Sequence, residues 1–124
     1  MTESRTQVTV VDDDESFSRA MERLLLAAGF EAFVCPSAEA FLQDTTHPAP
    51  DCLVLDIHLP GMSGLDLCRH LTGLGNTAPV IFVSAQDEAE AREEARRAGC
   101  SAYFCKPVPG KLLLEAITCA VNRN

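Results

Sequence analysis

Short apolar runs alternate along the chain with segments whose apolar residues recur at helical spacing. Residues 8–11, 52–55, 80–83 and 102–105 have the length and composition of strands, and residues 30–34 alternate as a half-exposed strand does. A helical pattern follows each of the five runs. This βα alternation, repeated five times, predicts an α/β domain with a parallel sheet covered by helices on both faces.

Local signals predict where the helices begin and which residues they bury. Ser37 and Ser63 are expected N-caps, and Asp87 followed by Glu90 is a start signal for the fourth helix. Helical spacing then predicts four inner faces: Phe17, Met21, Leu24, Leu25 and Ala28 in the first helix, Leu67, Leu71 and Leu74 in the third, Ala91, Ala95 and Ala98 in the fourth, and Leu112, Leu113, Ala116, Ile117 and Ala120 in the last.

Length and charge narrow the classes of function. The chain has 124 residues, 47% of them hydrophobic, which suits one domain over residues 1–124 with a core at about 6–122. A net charge of −8 disfavours direct contact with nucleic acid or an anionic membrane. The start MTESRTQ is polar, and no apolar run approaches the roughly 20 residues of a membrane helix. We therefore expect a cytoplasmic domain.

Six cysteines are present, but their spacing does not favour a metal site, and the polar start of the sequence argues against the oxidising compartment that a disulfide framework needs. No C-x-x-C pair occurs, and the chain has only three histidines that could add ligands. We expect the cysteines to act as small buried apolar residues. They are Cys35, Cys52, Cys68, Cys100, Cys105 and Cys119.

Four of the predicted strands end on polar residues that could carry chemistry. Asp12 and Asp13 follow the first strand, Asp56 the third, Ser84 the fourth and Lys106 the fifth. In a doubly wound sheet, ligands bind beyond the carboxyl ends of the strands, near the switch point in strand order. We therefore expect these residues to lie together although they are far apart in the chain.

The chemistry of such a group favours phosphoryl transfer. Crowded carboxylates need a counter-charge, which a hard divalent cation such as Mg²⁺ supplies. A lysine and a hydroxyl can hold the oxygens of a phosphoryl group, and an aspartate can itself be the nucleophile. Taken alone, the acids at residues 12–14 are more typical of a helix N-terminus. The polar residues at all four strand ends suit phosphoryl transfer together, and this favours a phosphoryl-transfer site over a simple helix N-terminus.

The segments VVDDDES, LVLDIHLPGMSG, VIFVSA and CKPV resemble the receiver domain of two-component response regulators. The resemblance covers about residues 6–122. It implies a flavodoxin-like, doubly wound (βα)5 fold with a five-stranded parallel sheet of order 2-1-3-4-5. It also implies that Asp56 is the phosphate acceptor and that a histidine kinase or phosphotransfer protein is the donor.

The resemblance further implies a metal site. Asp12 and Asp13 take the positions of the acidic pair that holds Mg²⁺, with Mn²⁺ as the alternative ion. Asp56 and the backbone carbonyl of His58 complete the protein ligands. The side chain of His58 is expected to face solvent and to leave metal binding to its carbonyl.

The remaining family positions describe a switch. Ser84 takes the Thr/Ser position whose hydroxyl turns toward the phosphate, and Lys106 takes the position of the lysine that pairs with a phosphate oxygen. The Lys106–Pro107 bond is expected to be cis. Tyr103 falls at the switch aromatic, which rotates inward behind Ser84. The face made by the fourth helix, the last strand and the last helix is then expected to change, as a partner surface or a homodimer interface.

Alternatives remain open from the sequence. Asp12-x-Asp14-x-Ser16 faintly resembles the signature of haloacid-dehalogenase-type phosphohydrolases, in which Asp12 would be the nucleophile. The second alternative is a receiver domain that serves as a scaffold and is never phosphorylated. We expect no turnover enzyme, with slow self-dephosphorylation at most. The chain is expected to be a stand-alone receiver or the N-terminal part of a longer regulator. The PSAEAFL segment resembles receivers of helix-turn-helix transcription regulators, which favours the longer regulator.

Overall fold

The computed structural model describes residues 5–122, so residues 1–4 and 123–124 of the predicted domain lie outside the described residues. Five strands and five helices alternate along this part of the chain. They are β1 (Gln7–Val11), α1 (Glu15–Ala27), β2 (Glu31–Cys35), α2 (Ala38–Gln43), β3 (Cys52–Asp56), α3 (Gly64–Gly73), β4 (Val80–Ser84), α4 (Ala89–Arg97), β5 (Ala102–Cys105) and α5 (Gly110–Val121).

All strand pairs are parallel, in the order β2-β1-β3-β4-β5. This confirms the predicted fold and strand order. The register sets Val11 beside Leu55 and Ser84 beside Cys105, so the carboxyl ends of the strands lie along one edge of the sheet. The order reverses at β1, which leaves a crevice between the ends of β1 and β3.

Two apolar layers hold the helices on the sheet. On one face, α1 and α5 pack over alternate residues of the central strands, with Val10, Leu25, Val54, Ile81, Leu113 and Ile117 among the buried residues. On the other face, α2, α3 and α4 cover the remaining strand residues, with Phe41, Leu55, Leu67, Phe82, Ala91 and Ala95 among them. Strands β3 and β4 are buried throughout because both their faces are covered.

Two leucines expected inside are largely exposed. Leu74 is 71% exposed because it is the C-cap of α3 and lies past the helical repeat that buries Leu67. Leu112 is 48% exposed because it precedes the buried Leu113 by one residue, about 100° around the helix. The predictions for these two residues were therefore wrong, and in α3 the structure buries Leu65 in addition.

The expected helix caps were correct at two of three places. The hydroxyls of Ser37 and Ser63 accept the N–H groups of Ala40 and Asp66 at 3.0 and 3.1 Å. The prediction that Asp87 caps the start of α4 was wrong. Glu88 occupies the N-cap of α4 without a side-chain cap bond, because the Asp87 carboxylate pairs instead with a guanidinium one turn into the helix.

All six cysteines are free thiols. Cys35, Cys52 and Cys68 are buried as expected, and burial raises the pKa of Cys52 to about 12. Cys119 on α5 is exposed, so the expectation of six buried cysteines was wrong there. Within residues 5–122, no helix has the length and apolar character needed to cross a bilayer.

Candidate functional site

Backbone hydrogen bonds extend the sheet one residue past the strands and so position the polar side chains at its carboxyl edge. The Asp12 N–H donates to the Cys35 carbonyl at 3.0 Å, and the Lys106 N–H donates to the Ser84 carbonyl at 2.7 Å. Asp56 is the last residue of β3, between these two. The sheet therefore holds in place the backbone of the site residues that were predicted at the strand ends.

Three carboxylates meet at this edge. Oxygens of Asp12, Asp13 and Asp56 all lie within 4.8 Å of one another. Asp12 and Asp56 are 2% and 5% exposed, and Asp13 is open to solvent. Each buried carboxylate accepts a backbone N–H two residues ahead on its Oδ1, from Asp14 at 2.8 Å and from His58 at 3.0 Å. The Oδ2 atom of each of these two carboxylates therefore takes no part in this hydrogen bond.

Lys106 supplies the positive charge. Its Nζ lies 2.8 Å from Asp12 Oδ2 and 3.9 Å from the Oδ2 atoms of Asp56 and Asp14. The contact with Asp12 is a charge contact: within residues 5–122, no well-oriented hydrogen bond reaches that oxygen. The Nζ also sits 4.4 Å from the centre of the Phe17 ring. The sequence had placed Phe17 only on the inner face of α1, because helical spacing cannot reveal a lysine 89 residues away.

The electrostatics of the site act against ionisation of Asp56. Burial raises the pKa of its carboxyl group to about 6, and the neighbouring charge of Asp12 acts in the same direction. The His58 N–H and the Lys106 ammonium oppose this rise only in part. Three carboxylates face one ammonium, so the site carries an excess of negative charge.

These residues fit a hard divalent cation. Carboxylate oxygens are the ligands that Mg²⁺ and Mn²⁺ prefer, and a cation would balance the excess charge that burial makes costly. The buried Asp12 Oδ2 touches the Lys106 ammonium but accepts no well-oriented hydrogen bond from residues 5–122, so it keeps a lone pair for an ion. The residues that would hold the cation are Asp12, Asp13 and Asp56, with the His58 carbonyl on the adjoining loop.

Ser84 is the last residue of β4, beside β3, and Tyr103 lies on β5, three residues before Lys106. The Ser84 hydroxyl donates to the Gln86 carbonyl at 2.6 Å and accepts the Gln86 N–H at 3.1 Å, so it is engaged with its own loop. The Tyr103 hydroxyl is buried, and no hydrogen-bond partner for it exists within residues 5–122. The guanidinium of Arg92 covers the Tyr103 ring at 4.5 Å and pairs with Asp87 at 2.9 Å.

The β3–α3 loop (residues 57–63) is held from both sides by glutamates that the sequence did not single out. His58 Nε2 lies 2.9 Å from Glu88 Oε1, at the start of α4. On the other flank, Glu39 of α2 accepts the Met62 N–H on its Oε2 at 2.7 Å. No spacing rule could have found either contact, since both join segments more than 20 residues apart. The His58 side chain remains about half exposed, as expected.

Comparison with known proteins finds both similar sequences and similar structures. Residues 8–118 match the model of the family described as response regulator receiver domain. The chain is 36% identical over 122 residues to the response regulator protein TmoT of Ectopseudomonas mendocina, covering 98% of this chain and 56% of that protein. It is 35% identical to TodT of Pseudomonas putida, covering 98% of this chain and 54% of that protein.

Among solved structures, a CheY-like receiver domain protein from Methanospirillum hungatei superposes with a TM-score of 0.88 at 27% identity, over 96% of this chain and 95% of that one. The chain thus spans about half the length of the curated relatives it matches and nearly all of a single-domain relative.

Proposed function

This chain belongs to the response regulator receiver domains, and from that membership we propose that it is a signalling switch whose phosphoryl acceptor is Asp56. Response regulators of this kind are signalling proteins and not classical enzymes. One observation carries the choice of Asp56: it is the buried carboxylate at the end of the central strand β3, next to a second buried carboxylate and a lysine.

The proposed reaction depends on a divalent cation. Receiver domains generally bind Mg²⁺ at an acidic pocket, and the cluster of Asp12, Asp13 and Asp56 fits that use. When bound, the ion neutralises charge on the acceptor and on the incoming phosphoryl group. We assign it to these three carboxylates and to the His58 carbonyl, with Mn²⁺ as a substitute.

The transfer step is a displacement at phosphorus. A carboxylate oxygen of Asp56 forms the new O–P bond as the N–P bond of a phosphohistidine breaks, and the electron pair of that bond returns to the leaving imidazole. Lys106 then pairs with a phosphoryl oxygen. Ser84 exchanges its bonds with Gln86 for a bond to the phosphoryl group. The donor is a histidine kinase or a phosphotransfer protein.

The output is proposed to be a change of the face formed by α4, β5 and α5. Ser84 and Tyr103 lie on the neighbouring strands β4 and β5. When the Ser84 hydroxyl leaves Gln86 and turns toward the phosphoryl group, it vacates space into which the Tyr103 ring can rotate. Because the relatives are about twice as long, we propose that this face controls an effector, most simply one that regulates transcription, or forms a homodimer.

Phosphopeptide mapping tests the acceptor. The protein is incubated with acetyl phosphate and MgCl₂, and the modified residue is identified after digestion. We expect label on Asp56, its loss in Asp56→Asn, and its loss when EDTA replaces MgCl₂. Label on Asp12 instead would favour the phosphohydrolase alternative. No label on wild-type protein from either acetyl phosphate or a kinase would favour the scaffold alternative.

A further inference from the structure

Hydrogen bonds to the backbone anchor the β3–α3 loop at its start, at its end and in between. At its start, the His58 N–H bonds to the Asp56 carboxylate at 3.0 Å. At its end, the Gly64 N–H bonds to the Ile57 carbonyl at 3.1 Å. Between these ends, the backbone is held from outside the loop by Glu39, which accepts the Met62 N–H at 2.7 Å. The Glu39 contact comes from another part of the chain, as do two contacts at the start of the loop: the bond of the Ile57 N–H to the Val83 carbonyl at 3.0 Å and the contact of His58 with Glu88. Glu39 holds the far half of the loop.

The contact between Glu39 and the loop is close and depends on the residue before Met62. A Cβ atom on Gly61 would lie 2.5 Å from Glu39 Oε2, so any side chain there would push the carboxylate away. Gly61 also has a φ of +76°, which glycine adopts without strain. The Met62 N–H is the main cause that lowers the pKa of Glu39, so the carboxylate is ionised and the hydrogen bond is charge-assisted.

The helix that carries Glu39 is itself well anchored. Ser37 caps α2, and the adjoining Ala38 and Phe41 are buried in the same core cluster as Leu59 of the loop. Because the helix backbone is already fixed, only the side-chain rotamers of Glu39 are restricted when it accepts the loop N–H. Glu39 is therefore in a position to restrain the loop and not merely to follow it.

We infer that Glu39 is a positioning residue, which holds the β3–α3 loop so that the His58 carbonyl is presented to the cation beside Asp56. The inference rests on the proposed function and adds a residue to it. Residues that orient metal ligands typically change metal affinity by about 10–100-fold when they are removed. Because Glu39 acts on backbone four residues from His58, we expect an effect at the lower end of this range.

The test compares Glu39→Ala and Glu39→Gln with wild type and with the control Glu115→Gln. Glu115 is exposed on α5, across the sheet from α2. Titration calorimetry with MgCl₂ should show affinity reduced about 10-fold in Glu39→Ala and about threefold in Glu39→Gln, whose neutral oxygen still accepts the N–H more weakly. The initial rate of labelling by acetyl phosphate at subsaturating MgCl₂ should fall in the same order, and saturating MgCl₂ should restore most of it.

A spectroscopic signature separates positioning from a general loss of stability. In wild type, the amide proton of Met62 should titrate with the Glu39 carboxyl, with a midpoint below that of an ordinary glutamate; this titration should vanish in both Glu39 variants and persist in Glu115→Gln. If the titration vanishes while Mg²⁺ affinity and labelling stay within twofold of wild type, the inference is overturned and the proposed function stands. If wild type neither binds Mg²⁺ nor takes label, the proposed function fails, and the inference with it.

Discussion

The ammonium of Lys106 lies 2.8 Å from Asp12 Oδ2, closer than its 3.9 Å separation from the proposed acceptor Asp56. Lys106 therefore neutralises first Asp12, which is assigned to the cation alone, and not Asp56, which is assigned both to the cation and to phosphorus. Cation binding and phosphoryl transfer would then free the lysine for a new partner, because the ion takes over the charge of Asp12.

Loss of Lys106 should destabilise the metal-free domain. Lys106→Ala leaves two buried carboxylates without their ammonium, at a cost on the order of 3 kcal/mol of unfolding free energy. MgCl₂ should recover most of this loss, since the ion supplies the missing charge. Urea unfolding at pH 7.5 in EDTA and in MgCl₂ measures both. Lys111→Ala, at an exposed residue of α5, is the control and should change little. An equal loss in EDTA and MgCl₂ would contradict the charge argument.

The raised pKa of Asp56 predicts how stability depends on pH. Its folded pKa of about 6 exceeds the ordinary value of 3.8, so the folded protein binds this proton more tightly than the unfolded chain. Without metal, this group therefore reduces stability as pH rises from about 4 to about 6, and the loss is complete above that range. At pH 7.5 in EDTA, Asp56→Asn should be more stable than wild type by about 1–2 kcal/mol.

This advantage of Asp56→Asn should shrink as the pH falls toward 4, because wild-type Asp56 is then neutral as well. It should also shrink in MgCl₂, which offsets the charge in wild type. Urea unfolding at a series of pH values measures the difference. Glu115→Gln serves as the control for a surface carboxyl group. A difference that is constant with pH would mean that Asp56 is not the titrating group.

Two glycines of α3 should respond oppositely to alanine. At Gly64, a Cβ would lie 2.2 Å from the Asp56 carbonyl oxygen, so the backbone of the acceptor must move. Gly64→Ala should lose about 2–3 kcal/mol of stability and most of the labelling by acetyl phosphate. At Gly73, no atom of residues 5–122 outside the adjoining helix backbone would lie within 4 Å of an added Cβ, so Gly73→Ala should gain about 0.5 kcal/mol from helix propensity and keep its labelling. Similar behaviour of the two variants would argue against the close approach at Gly64.

Arg92 should hold the Tyr103 ring in place. Removing its guanidinium in Arg92→Ala takes away the cation–π contact with the ring, while the exposed pair with Asp87 adds little to stability. The chain has one tyrosine and no tryptophan, so intrinsic emission reports on Tyr103 alone. We expect this emission to change in Arg92→Ala and to stay as in wild type in Arg96→Ala, because Arg96 pairs with Glu93 instead. Equal emission in both variants would contradict the role of Arg92.

Predictions from the sequence were correct where residue type and spacing alone decide the outcome, and they were wrong where a neighbouring side chain or the end of a helix decides it. Ser37 and Ser63 were correctly predicted as caps, because a cap bond spans three residues and depends on residue type. Asp87 fits the same pattern but pairs with Arg92, since a guanidinium competes with the helix N–H groups for its carboxylate. Leu74 fits helical spacing, yet α3 ends before its side chain can reach the sheet. Such outcomes depend on neighbours that a spacing rule does not include.

The amino-acid sequence by itself determined the five βα units and the polar residues at the strand ends, because periodicity and residue type act over a few neighbouring residues. Only the tertiary structure decided that Lys106 pairs first with Asp12, that Phe17 covers the ammonium and that Glu39 holds the loop after Asp56. These contacts join residues between 23 and 94 positions apart. They exist only after the sheet register and the packing of α1 and α2 have brought distant segments within hydrogen-bonding range.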